Sequence, residues 1–172
     1  TIDFGPCAFM DNYDPNTVFS SIDRHGRYAF ANQPKIAQWN LARFIETLLP
    51  FIHQDTDRAI KIGEEMLNEY VYSYKRKWLE MMKIKIGLFR EHKDDEILIN
   101  NLLTLMKNEN ADYTNTFIKL SEILIDENKI NLVNINGLES WCNQWKERLL
   151  KNKKPIADSI SMMDTCNPQV IP

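Results

Sequence analysis

From Pro34 onward, apolar residues return every three or four positions, the spacing of one helical face. Ile36, Ala37, Leu41, Phe44, Ile45, Leu48 and Leu49 share such a face, with Asn40 among them. Pro34 suits a first helical turn, and Pro50 predicts the stop. The width of this apolar face predicts a helix at the centre of the fold. A second helical pattern runs from about Thr56 to Phe89 through Ile60, Gly63, Leu67, Tyr70, Val71, Tyr74, Trp78 and Met81. It is long for a globular helix, which leaves room for a break or kink, and Gly87 is a candidate C-terminal cap. Asp94 or Asp95 caps a third helix carrying Ile97, Leu98, Leu102, Leu105 and Met106. Asp112 caps a fourth with Phe117, Leu120, Ile123 and Leu124. After a polar connection over 126–135, a fifth helix spans about Gly137 to Leu150, with Leu138, Trp141, Trp145 and Leu149 inward. Pro155 starts a sixth that runs to about Met163. No period-two alternation is strong enough to build a sheet, so the fold class is all-α.

Residues 1–33 break this pattern. Gly5, Gly26, Pro6, Pro15, Asp11, Asn12, Asp14, Asn16 and Asp23 are turn formers. They predict a short strand end near Thr1–Phe4 followed by a long ordered loop, and loops of that length in compact domains are usually functional. The chain therefore divides into a loop region, 1–33, and a helical domain, 34–172. It begins at Thr1 on an apolar–polar run and ends at Asn167-Pro168-Gln169-Val170-Ile171-Pro172, which reads as part of a longer protein.

Composition narrows the function classes. With 44% hydrophobic and 10% aromatic residues, the chain can build a core and is not disordered along most of its length. The net charge is −3, with both signs interspersed and no basic arm, which excludes nucleic acid as a partner. Lys151, Lys153 and Lys154 suit a helix C-terminus. Cys7, Cys142 and Cys166 lie far apart with no metal-ligand spacing, so free thiols are expected. No apolar run approaches the roughly 20 residues of a membrane span.

The chemistry concentrates at Asp3-Phe4-Gly5-Pro6. An apolar strand end delivers a carboxylate, and a glycine then turns the chain, placing Asp3 at the rim of a cleft. A hard divalent cation bridging nucleotide phosphates takes such an oxygen ligand. The same four residues also fit an aspartate that merely caps a turn. Elsewhere, Arg24, His25 and Arg27 are read as positioning the loop by pairing with Asp11, Asp14 or Asp23. His53 and His92 are read as solvated residues at helix boundaries. Asp94-Asp95-Glu96 fits the positive end of a helix dipole better than a metal cluster. Trp39, Trp78, Trp141 and Trp145 are read as core, and Tyr70, Tyr72 and Tyr74 as core or partly so.

The order of motifs adds a resemblance. Asp3-Phe4-Gly5-Pro6-Cys7-Ala8-Phe9-Met10-Asp11 is followed by Gly26-Arg27-Tyr28-Ala29-Phe30-Ala31-Asn32-Gln33-Pro34, then by Ala37-Gln38-Trp39-Asn40-Leu41-Ala42-Arg43. Lys85-Ile86-Gly87-Leu88, Asp112-Tyr113-Thr114 and Asn167-Pro168 come later, in the expected order. Together these resemble the selenoprotein O (SelO) pseudokinase family across essentially the whole chain. Two positions depart from its usual pattern: Phe4 stands for Tyr and Cys7 for Phe, both apolar swaps that leave the Asp3 carboxylate in place.

The resemblance implies a helical kinase-like C-lobe portion with further C-terminal helices, and a metal-binding motif with an activation-type loop over 1–33. It implies a protein adenylyltransferase that moves AMP from ATP to Ser, Thr or Tyr hydroxyls of target proteins. Asp3 would hold Mg2+ (or Mn2+) and contact ATP. The proton acceptor and the other phosphate-holding residues would lie upstream of Thr1, so this chain alone would be inactive and prone to self-association. The expected place is the cytoplasm of a bacterium, or the mitochondrion in a eukaryote. A conventional protein kinase C-lobe and a non-catalytic helical interaction module are the alternatives.

Overall fold

The computed structural model describes residues 10–168. Those residues are all-α, as the periodicity predicts: α1 (Gln33–Ile52), α2 (Thr56–Lys85), α3 (Asp95–Asn108), α4 (Tyr113–Ile125), α5 (Leu138–Leu150) and α6 (Ile156–Cys166). Short 3-10 turns cover Phe30–Asn32 and Glu127–Leu132. Among the described residues the sole β feature is an isolated antiparallel bridge between Asn12 and Asp112. The strand end expected at Thr1–Phe4 lies outside the described residues.

The described chain forms two compact units, residues 15–78 and residues 10–14 with 79–168. Helix α2 is a single element from Thr56 to Lys85, so the break for which the sequence left room is not seen.

In the first unit, the loop is fastened by its own backbone. Phe30 N–H donates to the Thr17 carbonyl (3.0 Å) and Ala31 N–H to Pro15 (2.9 Å). The Asp23 carboxylate accepts the backbone N–H groups of Arg27 and Tyr28, each at 2.8 Å. Helix α1 approaches α2 closely at Gly63, where an added Cβ would stand 2.7 Å from Ile45 Cγ2. The Tyr70 hydroxyl donates to the Pro34 carbonyl at 3.2 Å.

Two expectations for α1 fail. It continues past Pro50 to Ile52. A proline forfeits its own N–H bond but does not bar the residues after it from helical dihedrals, and His53 N–H still reaches the Leu49 carbonyl (3.5 Å). Nor is its wide apolar face sealed within the described residues: none of its residues is buried. Periodicity reveals which side of a helix is apolar, not what lies against it.

The second unit holds the core. Ile86, Ile99, Leu102, Met106, Phe117, Leu120, Ile123 and Met163 are sealed from solvent, with α3 packed on α5 and α4 on α6. Leu138, Trp141, Trp145 and Leu149 point inward as predicted. The indoles of Trp141 and Trp145 stack with centroids 5.4 Å apart. Both are satisfied: Trp141 Nε1 donates to the Leu98 carbonyl (2.8 Å) and Trp145 Nε1 to Ile86 (2.7 Å), as buried indoles require.

Helix ends follow their chemistry. Asp112 Oδ1 accepts the Asn115 N–H at 2.7 Å, the predicted cap of α4. Gly87, at φ +75°, ends α2 in a Schellman motif: its N–H donates to Ile84 (3.1 Å) and Leu88 N–H to Lys83 (2.9 Å). Asn110, at φ +49°, does the same for α3, with Ala111 N–H on the Met106 carbonyl at 2.8 Å.

Candidate functional site

Asp3, the predicted metal and ATP ligand, lies outside the described residues with Phe4, Gly5 and Cys7. The described structure begins with the downstream end of the same motif. Met10–Asp14 lies against the start of α4: Tyr113 N–H donates to the Asp11 carbonyl (2.7 Å) and Tyr13 N–H to the Ala111 carbonyl (2.8 Å). The rings of Tyr13 and Tyr113 stack with centroids 5.6 Å apart, and Phe117 meets Tyr113 edge-on at 5.1 Å.

Lys85, at the last position of α2, closes this cluster. Its ammonium sits 4.9 Å from the Phe117 ring centroid and 5.7 Å from that of Tyr113, a cation–π arrangement. Lys85 Nζ donates to Asn167 Oδ1 (3.1 Å), and Asn167 Nδ2 donates back to the Lys85 carbonyl (2.9 Å). Burial pulls the Lys85 ammonium below the ordinary lysine range. Burial first, then the neighbouring Tyr13 and Cys166, pushes the Tyr113 phenol up to about 12. Both shifts favour the neutral form, since desolvation penalises charge. The stretches around Asp11, Lys85, Tyr113 and Asn167, scattered through the sequence, thus meet in one place. Chemically the cluster is an anchor. It offers packed rings and hydrogen bonds, and it fixes the chain eight positions downstream of Asp3.

A polar network lies beside it. The Gly87 carbonyl accepts Asn152 Nδ2 and Ser159 Oγ, both at 2.9 Å. Arg148 Nε donates to Asp95 Oδ1 and Nη2 to Asp95 Oδ2 (3.1 Å), while Nη1 reaches Asn152 Oδ1 (3.1 Å). Lys83 Nζ stands 4.0 Å from Asp95 Oδ2. Asp94 stands at the N-cap of α3 with Asp95 and Glu96 in its first turn, as the helix-dipole reading expects; Asp95 is in addition buried and paired. Among the described residues, no group of three or more His, Cys, Asp or Glu gathers as a metal site. Sequence reasoning missed the Arg148–Asp95 pair. The signal was there: Arg148 falls on the inward face that Trp141 and Trp145 define.

Near the loop, the Arg27 guanidinium stacks 4.7 Å above the Trp39 ring, and Arg43 lies 5.7 Å from the same ring. Trp39 is 48% exposed, so reading it as core is wrong; its ring is covered by guanidinium rather than hydrocarbon. Tyr72 and Tyr74 are exposed as well, against expectation, and Tyr70 and Trp78 are half-buried. His53 and His92 fall at helix boundaries as predicted. No helix among the described residues is long and apolar enough to cross a membrane.

An all-α chain whose distant motif stretches meet at one anchor is built on a shared plan, and comparison shows which. Residues 1–172 match the family model described as protein adenylyltransferase SelO. The whole chain aligns at 49% identity with the protein nucleotidyltransferase YdiU of Nitrosococcus oceani, covering 34% of that protein. It aligns at 49% with the protein of that name from Pelagibacter ubique and at 48% with that from Alkaliphilus metalliredigens, covering 35% of each. The chain belongs to the SelO family. It spans about a third of the length of the curated relatives it matches.

Proposed function

We propose that residues 1–172 are the helical C-terminal portion of a protein adenylyltransferase that transfers AMP from ATP to Ser, Thr or Tyr hydroxyls of protein substrates. The observation that carries this reading is the family match across the entire chain, Asp3-Phe4-Gly5-Pro6 included. In this reading residues 1–33 form the metal-binding motif and activation-type loop, and residues 34–172 a kinase-like helical lobe. The protein works in the bacterial cytoplasm.

Asp3 supplies one hard oxygen, a donor that suits Mg2+ or Mn2+, and the remaining ligands come from ATP phosphates, water and residues preceding Thr1. When bound, the cation neutralises charge on the phosphates. The part of the work that falls to these residues is positioning. The anchor at Tyr113 and Lys85 fixes the chain that leads back to Asp3. One ligand without its partners does not make a catalyst, so the isolated chain is inactive.

The test is transfer of label by the full-length protein from ATP carrying 32P at either the α or the γ position. Protein labelled from the α position supports the proposal. Label from the γ position alone identifies a conventional kinase, and label from neither a helical interaction module.

A further inference from the structure

A spacing of four places Lys35, Trp39 and Arg43 on one face of α1, and all three are exposed. Arg43 is answered on the helix itself by Glu46. Trp39 is covered from the loop instead. The Arg27 guanidinium lies 4.7 Å from its ring centroid and 5.8 Å from that of Tyr28. Aromatic rings hold a guanidinium in place but give its N–H donors no oxygen to bond.

The carboxylate that the sequence offers Arg27 is engaged elsewhere. Asp23 turns its oxygens to the backbone, accepting the N–H groups of Arg27 and Tyr28 at 2.8 Å each. Among the described residues, no carboxylate pairs with the side chains of Arg24, Arg27 or Lys35. Residues 24–45 hold four Arg or Lys and no Asp or Glu, in a chain whose net charge is −3. The loop that carries Arg27 is also built in advance. Gly26 takes φ +64°, its carbonyl accepts Asn32 Nδ2 at 2.9 Å, and Ala29 is buried. A loop fixed in this way loses little freedom when a partner arrives.

We infer that Arg27, held over Trp39, is a docking point for protein substrates whose target hydroxyl stands in an acidic stretch. A guanidinium binds a carboxylate through paired N–H···O bonds. Arg24 and Lys35 add positive charge that draws such a stretch in and turns a basic one away. Residues 1–33 carry both Asp3 and Arg27, so the segment that holds the metal in the proposed reading also holds the target. The inference rests on that reading for the reaction, though not for the recognition of acidic chain.

Fluorescein-labelled peptides of equal length, with one Ser between Glu, Gln or Lys flanks, test it by anisotropy with the full-length protein and no nucleotide. The Glu peptide is expected to bind about ten-fold more tightly than the Gln peptide, the scale of one charge-assisted contact, and the Lys peptide least tightly. Arg27→Gln should erase that order and Arg27→Glu invert it, while Arg27→Lys keeps it in weakened form. Equal binding of the three peptides, or binding of none, overturns the inference. So does an Arg27→Glu variant that weakens all three alike, which marks Arg27 as a brace for the loop. The same peptides are then offered with ATP carrying 32P at the α position. The expected order of binding without transfer removes only the proposed activity. Transfer indifferent to the flanking charge removes only this inference.

Discussion

Arg148 on α5 grips Asp95 at the start of α3 through both carboxylate oxygens, across 53 residues of chain, and both side chains are buried. A buried charge is tolerable only when it is paired and its remaining hydrogen bonds are met. Asn152, the Arg90 carbonyl and the His92 N–H meet them here.

Asp95→Asn is therefore expected to destabilise the protein by about 3–5 kcal/mol, because it leaves a guanidinium buried without its counter-charge. Adding Arg148→Met should recover part of that loss. Urea unfolding of Asp95→Asn, of Arg148→Met and of the double variant measures both effects. Additive losses would show that the pair is not coupled.

Gly87 carries two constraints at once. Its φ of +75° disfavours any Cβ, and an added Cβ would lie 3.0 Å from both Met163 Sδ and Ser159 Cβ. Gly87→Ala should cost about 1–2 kcal/mol for the backbone alone, and more for the contact with α6. The opposite change checks the reasoning. Asn110→Gly, at φ +49°, should be neutral or raise the thermal midpoint slightly.

Tyr113 makes stability depend on alkaline pH. Its phenol titrates near 12 in the folded protein, against about 10 when unfolded. The folded state thus holds the proton more tightly. The resulting stabilisation, about 2–3 kcal/mol, is complete below pH 10 and is lost as pH rises from about 10 to 12. Tyr113→Phe should flatten that part of the stability profile, as read by urea midpoints at pH 9 and pH 11. An unchanged slope would place the phenol in solvent.

Asp3→Ala in the full-length protein should lower AMP transfer about 100-fold or more, the scale of losing a charge-stabilising group, and leave the unfolding free energy within about 0.5 kcal/mol. Wild-type transfer by the variant would remove Asp3 from the metal site.

The sequence was most readable where one short-range rule decides. Asp112 caps α4 because an aspartate three residues before a free N–H can do little else. Gly87 ends α2 because only the left-handed region allows that turn cheaply. The inward face of α5 followed from period alone. What stayed hidden depends on distant chain. Asp95 looked like an ordinary first-turn acid, since its partner lies 53 positions away. The wide apolar face of α1 looked central because period shows which side of a helix is apolar, not what lies against it. For the site, the motifs announced the family, but no spacing rule told that Lys85 and Asn167 would embrace each other.

The four indoles are split between the units in a way that gives the molecule two optical reporters. Trp141 and Trp145 are dry and stacked, whereas Trp39 is 48% exposed and Trp78 partly so. Emission from the first pair lies to the blue and shifts when residues 79–168 lose their interior; emission from the second lies to the red and follows whatever touches residues 15–78. A single fluorescence spectrum, resolved into its two bands, can therefore follow each half of the chain without any added dye.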